Sequence, residues 1–166
     1  RLKELTPDAL DTVYFTNSGA EGVETAIKFA RKSTRRPRAL FCDHSFHGLS
    51  NGSLSLNSDE SYRTGFDPLI PGCDNVPLND RGAIAAELEK EDVAAFIVEP
   101  VQGKGVFLAD DDYLREVREL CSRHGTMLVF DEVQTGFGRT GRMFALEYPG
   151  VEPDILIISK ALSAGH

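Results

Sequence analysis

Short runs of consecutive apolar residues alternate along the chain with segments in which apolar residues recur every three or four positions. Val93-Ala94-Ala95-Phe96-Ile97-Val98 and Ile155-Leu156-Ile157-Ile158 are uninterrupted by polar residues. Runs of this length, bounded by polar residues, fit strands buried on both faces of a parallel sheet. Strands are therefore predicted over Val93–Glu99 and Asp154–Ser159, with others over Arg38–Asp43 and Met127–Asp131. Thr12–Asn17 is rich in β-branched and aromatic residues and also reads as a strand. Helices are predicted between the strands. Val23, Ala26, Ile27 and Ala30 repeat at helical spacing, and Arg81–Glu91 and Asp112–Arg123 supply two more helices. The run Asp110-Asp111-Asp112 suits an N-cap and the acidic first turn of the last of these. Leu2–Leu10 reads as an amphipathic helix. His44–Asp80, rich in Gly, Ser, Asn and Pro, reads as a long irregular stretch, which inside a domain is usually functional or disordered.

Strands alternating with helices predict an α/β fold, a mostly parallel sheet with helices on both faces in three α/β/α layers. Ligands of such sheets bind beyond the carboxyl ends of the strands. Ser18-Gly19-Ala20, the His44–Gly48 loop, Glu99, Asp131 and Lys160 all fall there. No repeat or linker divides residues 1–166, so a single domain is expected.

Charge and composition narrow the partners. A formal net charge of -8 over 166 residues repels nucleic acid and anionic membranes, which leaves a small molecule as the expected ligand. Cys42, Cys73 and Cys121 are odd in number and widely spaced, so neither a disulfide framework nor a metal site is indicated. With no apolar run long enough to span a bilayer and no signal pattern, a cytoplasmic protein is expected. The chain opens on Arg1 and stops on His166 shortly after a strand, and is expected to be a fragment of a longer protein.

Several residues at the strand ends carry chemistry. In NSGAEGVETA, small residues lie between a strand and a helix, so free N–H groups and the positive helix end suit an anion such as phosphate. The same residues also fit an ordinary N-cap by Ser18, with Glu21 completing a capping box. Asp131 ends an apolar strand in LVFDEVQTGFGRTG, where a carboxylate is structural, a metal ligand or the counter-ion of a buried cation. No triphosphate-binding loop accompanies Asp131-Glu132, which removes the nucleotide-hydrolase reading. Phe46 in SFHG either stacks on a flat heterocycle or packs on the core. Lys160 is either a solvated residue at the rim of the sheet or a desolvated amine kept for carbonyl chemistry.

NSGAEGVETAIKFAR, FHG, EPVQG, DEVQTGFGRTG and PDILIISKAL occur in the order and spacing of class III aminotransferases. From about Thr12 onward the chain resembles this ornithine/ω-amino-acid branch of the fold type I pyridoxal-phosphate enzymes. The resemblance implies that residues 1–166 are the central part of the cofactor-binding large domain, with the small C-terminal domain absent. It further implies pyridoxal 5'-phosphate as cofactor, carried as an aldimine on Lys160, and transfer of an amino group from an amine or ω-amino acid to a 2-oxo acid by a homodimer. Gly19 and Ala20 would then donate N–H groups to the phosphate, with Ser18 nearby. Phe46 and Val133 would pack on the two ring faces, Asp131 would pair with the ring nitrogen, and Gln134 would bond the phenolic oxygen. Glu99 would support this polar cluster, His47 would act from behind it, and Lys160 would also shuttle the proton.

The chain departs from the family pattern at two positions: Leu49 stands where an arginine usually follows FHG, and Lys104 replaces the glutamate of EPVQGEGG. These changes point away from ornithine and acetylornithine, toward an amine without an α-carboxylate or one whose acidic group meets Lys104. An aminomutase would need the same residues. The 166-residue chain alone is expected to hold cofactor weakly and turn over no substrate, or to serve only as a module that binds phosphate or a partner.

Overall fold

The computed structural model describes residues 1–163. Its centre is one five-stranded sheet made of β1 (Arg38–Cys42), β2 (Cys73–Val76), β3 (Val93–Val98), β4 (Met127–Asp131) and β5 (Ile155–Ile157). The strands lie in the order β2-β1-β3-β4-β5, and every pair is parallel. Parallel neighbours need crossovers, and helices supply them. The long crossover helices are α5 (Arg81–Leu88), between β2 and β3, and α6 (Asp111–His124), between β3 and β4. A further helix, α2 (Gly19–Thr34), leads into β1.

Alternation along the strands sorts side chains into two cores. Leu40, Cys42, Phe96, Val98, Leu128 and Phe130 face α5 and α6, where Tyr113, Leu114 and Val117 meet them. Ala39, Phe41, Ile97 and Val129 face α2, against its buried stripe of Val23, Ala26, Ile27 and Ala30. The result is the expected three-layer α/β/α arrangement. Each fully buried phenylalanine contributes about 1.5–3 kcal/mol relative to exposure. At the amino end of the sheet, Arg38 ties β1 to its neighbours through Asp74 (2.8 Å), Glu87 (2.5 Å) and Asp92 (2.9 Å).

The structure departs from the sequence expectations at three places. Thr12–Asn17 forms no strand among the described residues: it makes no ladder hydrogen bonds, and Tyr14 and Phe15 are 66% and 80% exposed. Strand propensity there has no partner edge to act on. The first helix, α1, covers only Leu2–Leu5, because Pro7 cannot continue it. Conversely, the stretch read as irregular holds α3 (Asn51–Leu54), α4 (Glu60–Arg63) and the edge strand β2. β2 carries Asp74 and Asn75 on an exposed edge, so its sequence lacks the apolar run that marks the inner strands. A smaller correction concerns Asp110, the N-cap of α6, whose side chain makes no capping bond; Asp111 and Asp112 supply the first-turn charge.

Candidate active site

The strand order places the site. From β1 the chain moves outward to β2 and then returns across β1 to β3, so the connections leaving β1 and β3 diverge and open a crevice at their carboxyl ends. Glu99, one residue beyond β3, spans this crevice. Its Oε1 accepts the Phe46 N–H at 3.0 Å and its Oε2 the Gly103 N–H at 2.9 Å. Burial pushes the Glu99 carboxyl above its ordinary value, and His47 with these two N–H groups opposes the shift.

A cavity of about 400 Å³ lies over the strand ends. Gly19, Ala20, Phe46, His47, Glu99, Asp131, Val133, Gln134 and Lys160 all border it. Ser18 does not. Its Oγ accepts the Glu21 N–H at 3.2 Å and caps α2, while the Glu21 carboxylate accepts from Asn17 N–H rather than Ser18 N–H, so the capping box is only half made. Gly48, Tyr62, Gly103, Lys104 and Ser159 border the cavity as well. Lys104 is the position that departs from the EPVQGEGG pattern, whereas Tyr62 lies in the stretch read as irregular and carried no sequence signal.

Asp131 has a buried partner, His47. His47 Nδ1 lies 2.8 Å from Asp131 Oδ2, and the side chains are 0% and 5% exposed. A carboxylate only accepts, so the proton of this bond sits on Nδ1. Asp131 Oδ1 also accepts the Val133 N–H at 3.1 Å. Burial alone would lower the His47 pKa, but Asp131 and then Glu99 outweigh it, and the imidazole stands above its ordinary 6.5. The sign follows. A raised folded-state pKa stabilises the protein fully below the unfolded value and loses that contribution as pH rises through the folded value. Glu99, raised by burial, acts in the same direction. Unfolding free energy measured in urea should therefore decline as pH rises above the ordinary imidazole value of 6.5, and less steeply in His47→Gln. Equal slopes in parent and variant would show that the imidazole carries no charge.

The loop bearing Phe46 and His47 is held from several sides. Asn57 accepts the His47 N–H and donates to the Gly48 carbonyl, both at 2.8 Å, and Ser45 Oγ donates to the Leu56 carbonyl at 2.8 Å. Glu24, in the second turn of α2, accepts from Ser50 Oγ at 2.7 Å and from the Gly52 N–H at 2.6 Å. Gly48 has φ +121, and a Cβ there would come within 2.6 Å of Ala20 Cβ, so the loop can lie on the start of α2 only with glycine in that place. Gly19 serves the same close approach from the other side, where a Cβ would stand 2.8 Å from Val133 Cγ2.

Lys160 is exposed at the cavity, and its Nζ donates to Gln134 Oε1 at 2.7 Å. Glu132, the residue after Asp131, is structural. It is buried, accepts the Ala145 and Leu146 N–H groups at 2.7 and 2.8 Å, and takes the Thr135 hydroxyl at 2.9 Å.

The sequence profile of the family described as Aminotransferase class-III matches residues 1–166. An acetylornithine aminotransferase from Methanosarcina mazei is 48% identical over 158 residues, 94% of this chain and 40% of that protein. The crystal structure of an (S)-enantioselective ω-transaminase from Thermomicrobium roseum matches with a TM-score of 0.92 at 35% identity, over 99% of this chain and 43% of that one. An amine transaminase from an uncultivated Pseudomonas species, in its pyridoxal-phosphate-bound internal aldimine form, matches with a TM-score of 0.82 at 33% identity, over 91% of this chain and 40% of that one. A parallel sheet of this order, with its polar groups gathered at the strand ends, is the architecture of fold type I transaminases. Within that class, the chain belongs to the class-III aminotransferase family. It spans between 19% and 42% of the length of the curated relatives it matches.

Pyridoxal phosphate is the cofactor of this family, and the residues present fit it. The N–H groups of Gly19 and Ala20 belong to the first turn of α2, which has no acceptors of its own, and both residues face the cavity. The absent Cβ atoms of Gly19 and Gly48 leave the approach narrow but open. Phe46 and Val133 offer flat and branched apolar surfaces on the same cavity as the Asp131 carboxylate and the Lys160 amine.

Proposed function

We propose that this chain is the central part of the cofactor-binding large domain of an aminotransferase, which moves an amino group from an amine or ω-amino acid to a 2-oxo acid. The observation that carries the proposal is one cavity bordered by the Asp131–His47 pair, the Lys160 amine and the free N–H groups that open α2. When bound, pyridoxal phosphate supplies a carbonyl that takes up amino groups and a ring that withdraws electrons from the reacting carbon. Gly19 and Ala20 hold its phosphate with backbone N–H groups, and Phe46 and Val133 confine the ring. Asp131 holds a proton at the ring nitrogen, and His47, through Nδ1, keeps the carboxylate aimed. Gln134 has its amide N–H groups free to donate to the phenolic oxygen, because its Oε1 is the atom that Lys160 engages. Lys160 Nζ would hold the cofactor at its carbonyl end and would serve as the amine that takes and returns the proton at the reacting carbon. A cytoplasmic homodimer is the proposed working form.

Borohydride reduction of the full-length holoenzyme, followed by peptide mass mapping, should place the cofactor on Lys160 alone. A label on Lys104 or on any other lysine would overturn the assignment.

A further inference from the structure

The rim of the cavity carries charge that none of these roles uses. Among the described residues bordering the cavity, the cationic side chains are Lys160, His47 and Lys104. The first two already have tasks. Lys104 lies in the turn after β3, between Gly103 and Gly105, and its side chain is 46% exposed. Its ammonium sits 4.8 Å from the centroid of the Tyr62 ring and pairs with the carboxylate of Asp59. Tyr62 in turn meets Phe46 edge-on, with ring centroids 5.3 Å apart at 64°. Lys104, Tyr62 and Phe46 therefore form one continuous wall, running from the rim to the residue assigned to the cofactor ring.

Both contacts of the ammonium are exchangeable. Solvent-exposed ion pairs contribute little net stability because water competes with each partner, and a cation on an exposed aromatic face is similarly weakly held. Asp59 does not itself border the cavity and meets it through Lys104; a carboxylate entering from the cavity can replace Asp59 on Lys104, and an ammonium that displaces Lys104 meets Asp59. The pairing also keeps both groups charged, since Asp59 holds the Lys104 pKa up and Lys104 holds the Asp59 pKa down.

We propose that Lys104 and Asp59 are the specificity-determining pair of this site, reading the charge at the end of the substrate remote from the reacting amine: Lys104 binds a remote carboxylate and Asp59 a remote ammonium. The proposal rests on the aminotransferase reading of the cavity and adds to it the two residues that select among donors.

The test uses the full-length holoenzyme and three donors of equal length: 5-aminopentanoate, 1,5-diaminopentane and pentylamine. Lys104→Gln should lower kcat/KM for the amino acid relative to pentylamine by about tenfold or more and raise the corresponding ratio for the diamine. Asp59→Asn should do the reverse, and asparagine preserves the N-cap that Asp59 gives α4, where it accepts the Ser61 N–H at 2.8 Å. Both variants break the same ion pair, so a merely structural contribution would shift the ratios in the same direction. Opposite shifts support the pair as a reader of charge; parallel shifts, or none, overturn it. Calorimetric binding of pentanoate, which cannot react, gives a second readout: affinity should fall in Lys104→Gln and rise in Asp59→Asn. Should no donor transfer its amino group while pentanoate affinity still splits this way, the aminotransferase reading fails and the charge-reading pair stands. Should transfer proceed without any split, the pair fails and the aminotransferase reading stands.

Discussion

Lys160→Ala in the full-length protein should slow amino transfer by at least about four orders of magnitude, because one substitution removes both a covalent anchor and a positioned proton carrier. Folding should barely register the change. Lys160 is exposed and, among the described residues, its side chain bonds Gln134 alone, and substitutions at such positions usually alter stability by no more than about 0.5 kcal/mol. Single-turnover kinetics beside a thermal unfolding scan separate the two effects. A variant retaining a tenth of the parent rate would rule out Lys160 as the reacting amine.

Asp131→Asn is the second large effect, and its signature differs. The fold and the cofactor should be kept, while the first half-reaction slows by about two to three orders of magnitude, the usual scale for loss of one preorganised electrostatic partner. Asparagine Oδ1 can still accept the Val133 N–H. The neutral amide, however, cannot hold a proton at a ring nitrogen, and its NH2 meets the Nδ1–H of His47 donor to donor. His47 would lose the contact that raises its pKa, so the pH dependence of stability should flatten as well. The buried mismatch costs about 1–3 kcal/mol. An unchanged half-reaction rate would show that Asp131 has another role.

The interior of this fold was legible because burial on both faces leaves a mark in the sequence. β3 and β4 are apolar runs and fell where expected, and the parallel topology then pointed to Glu99, Asp131 and Lys160 at the strand ends. The edges were not legible. Cys73-Asp74-Asn75-Val76 is a strand only because β1 offers it a partner, and Thr12–Asn17 has the propensity but no such partner among the described residues. In the site, the chemistry of each residue type could be read but not its supports. Asn57 reaches His47 and Glu24 reaches Ser50 and Gly52 across long stretches of chain, and no local pattern announces such bonds. Asp59 was overlooked for the same reason, since only folding brings it to Lys104.

The contacts of Glu24 have a consequence for how such a site can be altered. One carboxylate on α2 ties down the start of α3, directly after the loop that carries Phe46 and His47, and so couples the phosphate end of the site to the ring end. A substitution that tilts α2 transmits that tilt to the aromatic wall, and neither end can be retuned alone. At the opposite rim, Asp59 and Lys104 pair with each other at a partly exposed position, with no hydrogen bond to α2 among the described residues. Libraries built to change donor preference should therefore return active variants from residues 59–62 and from Lys104, and few from the clamped loop.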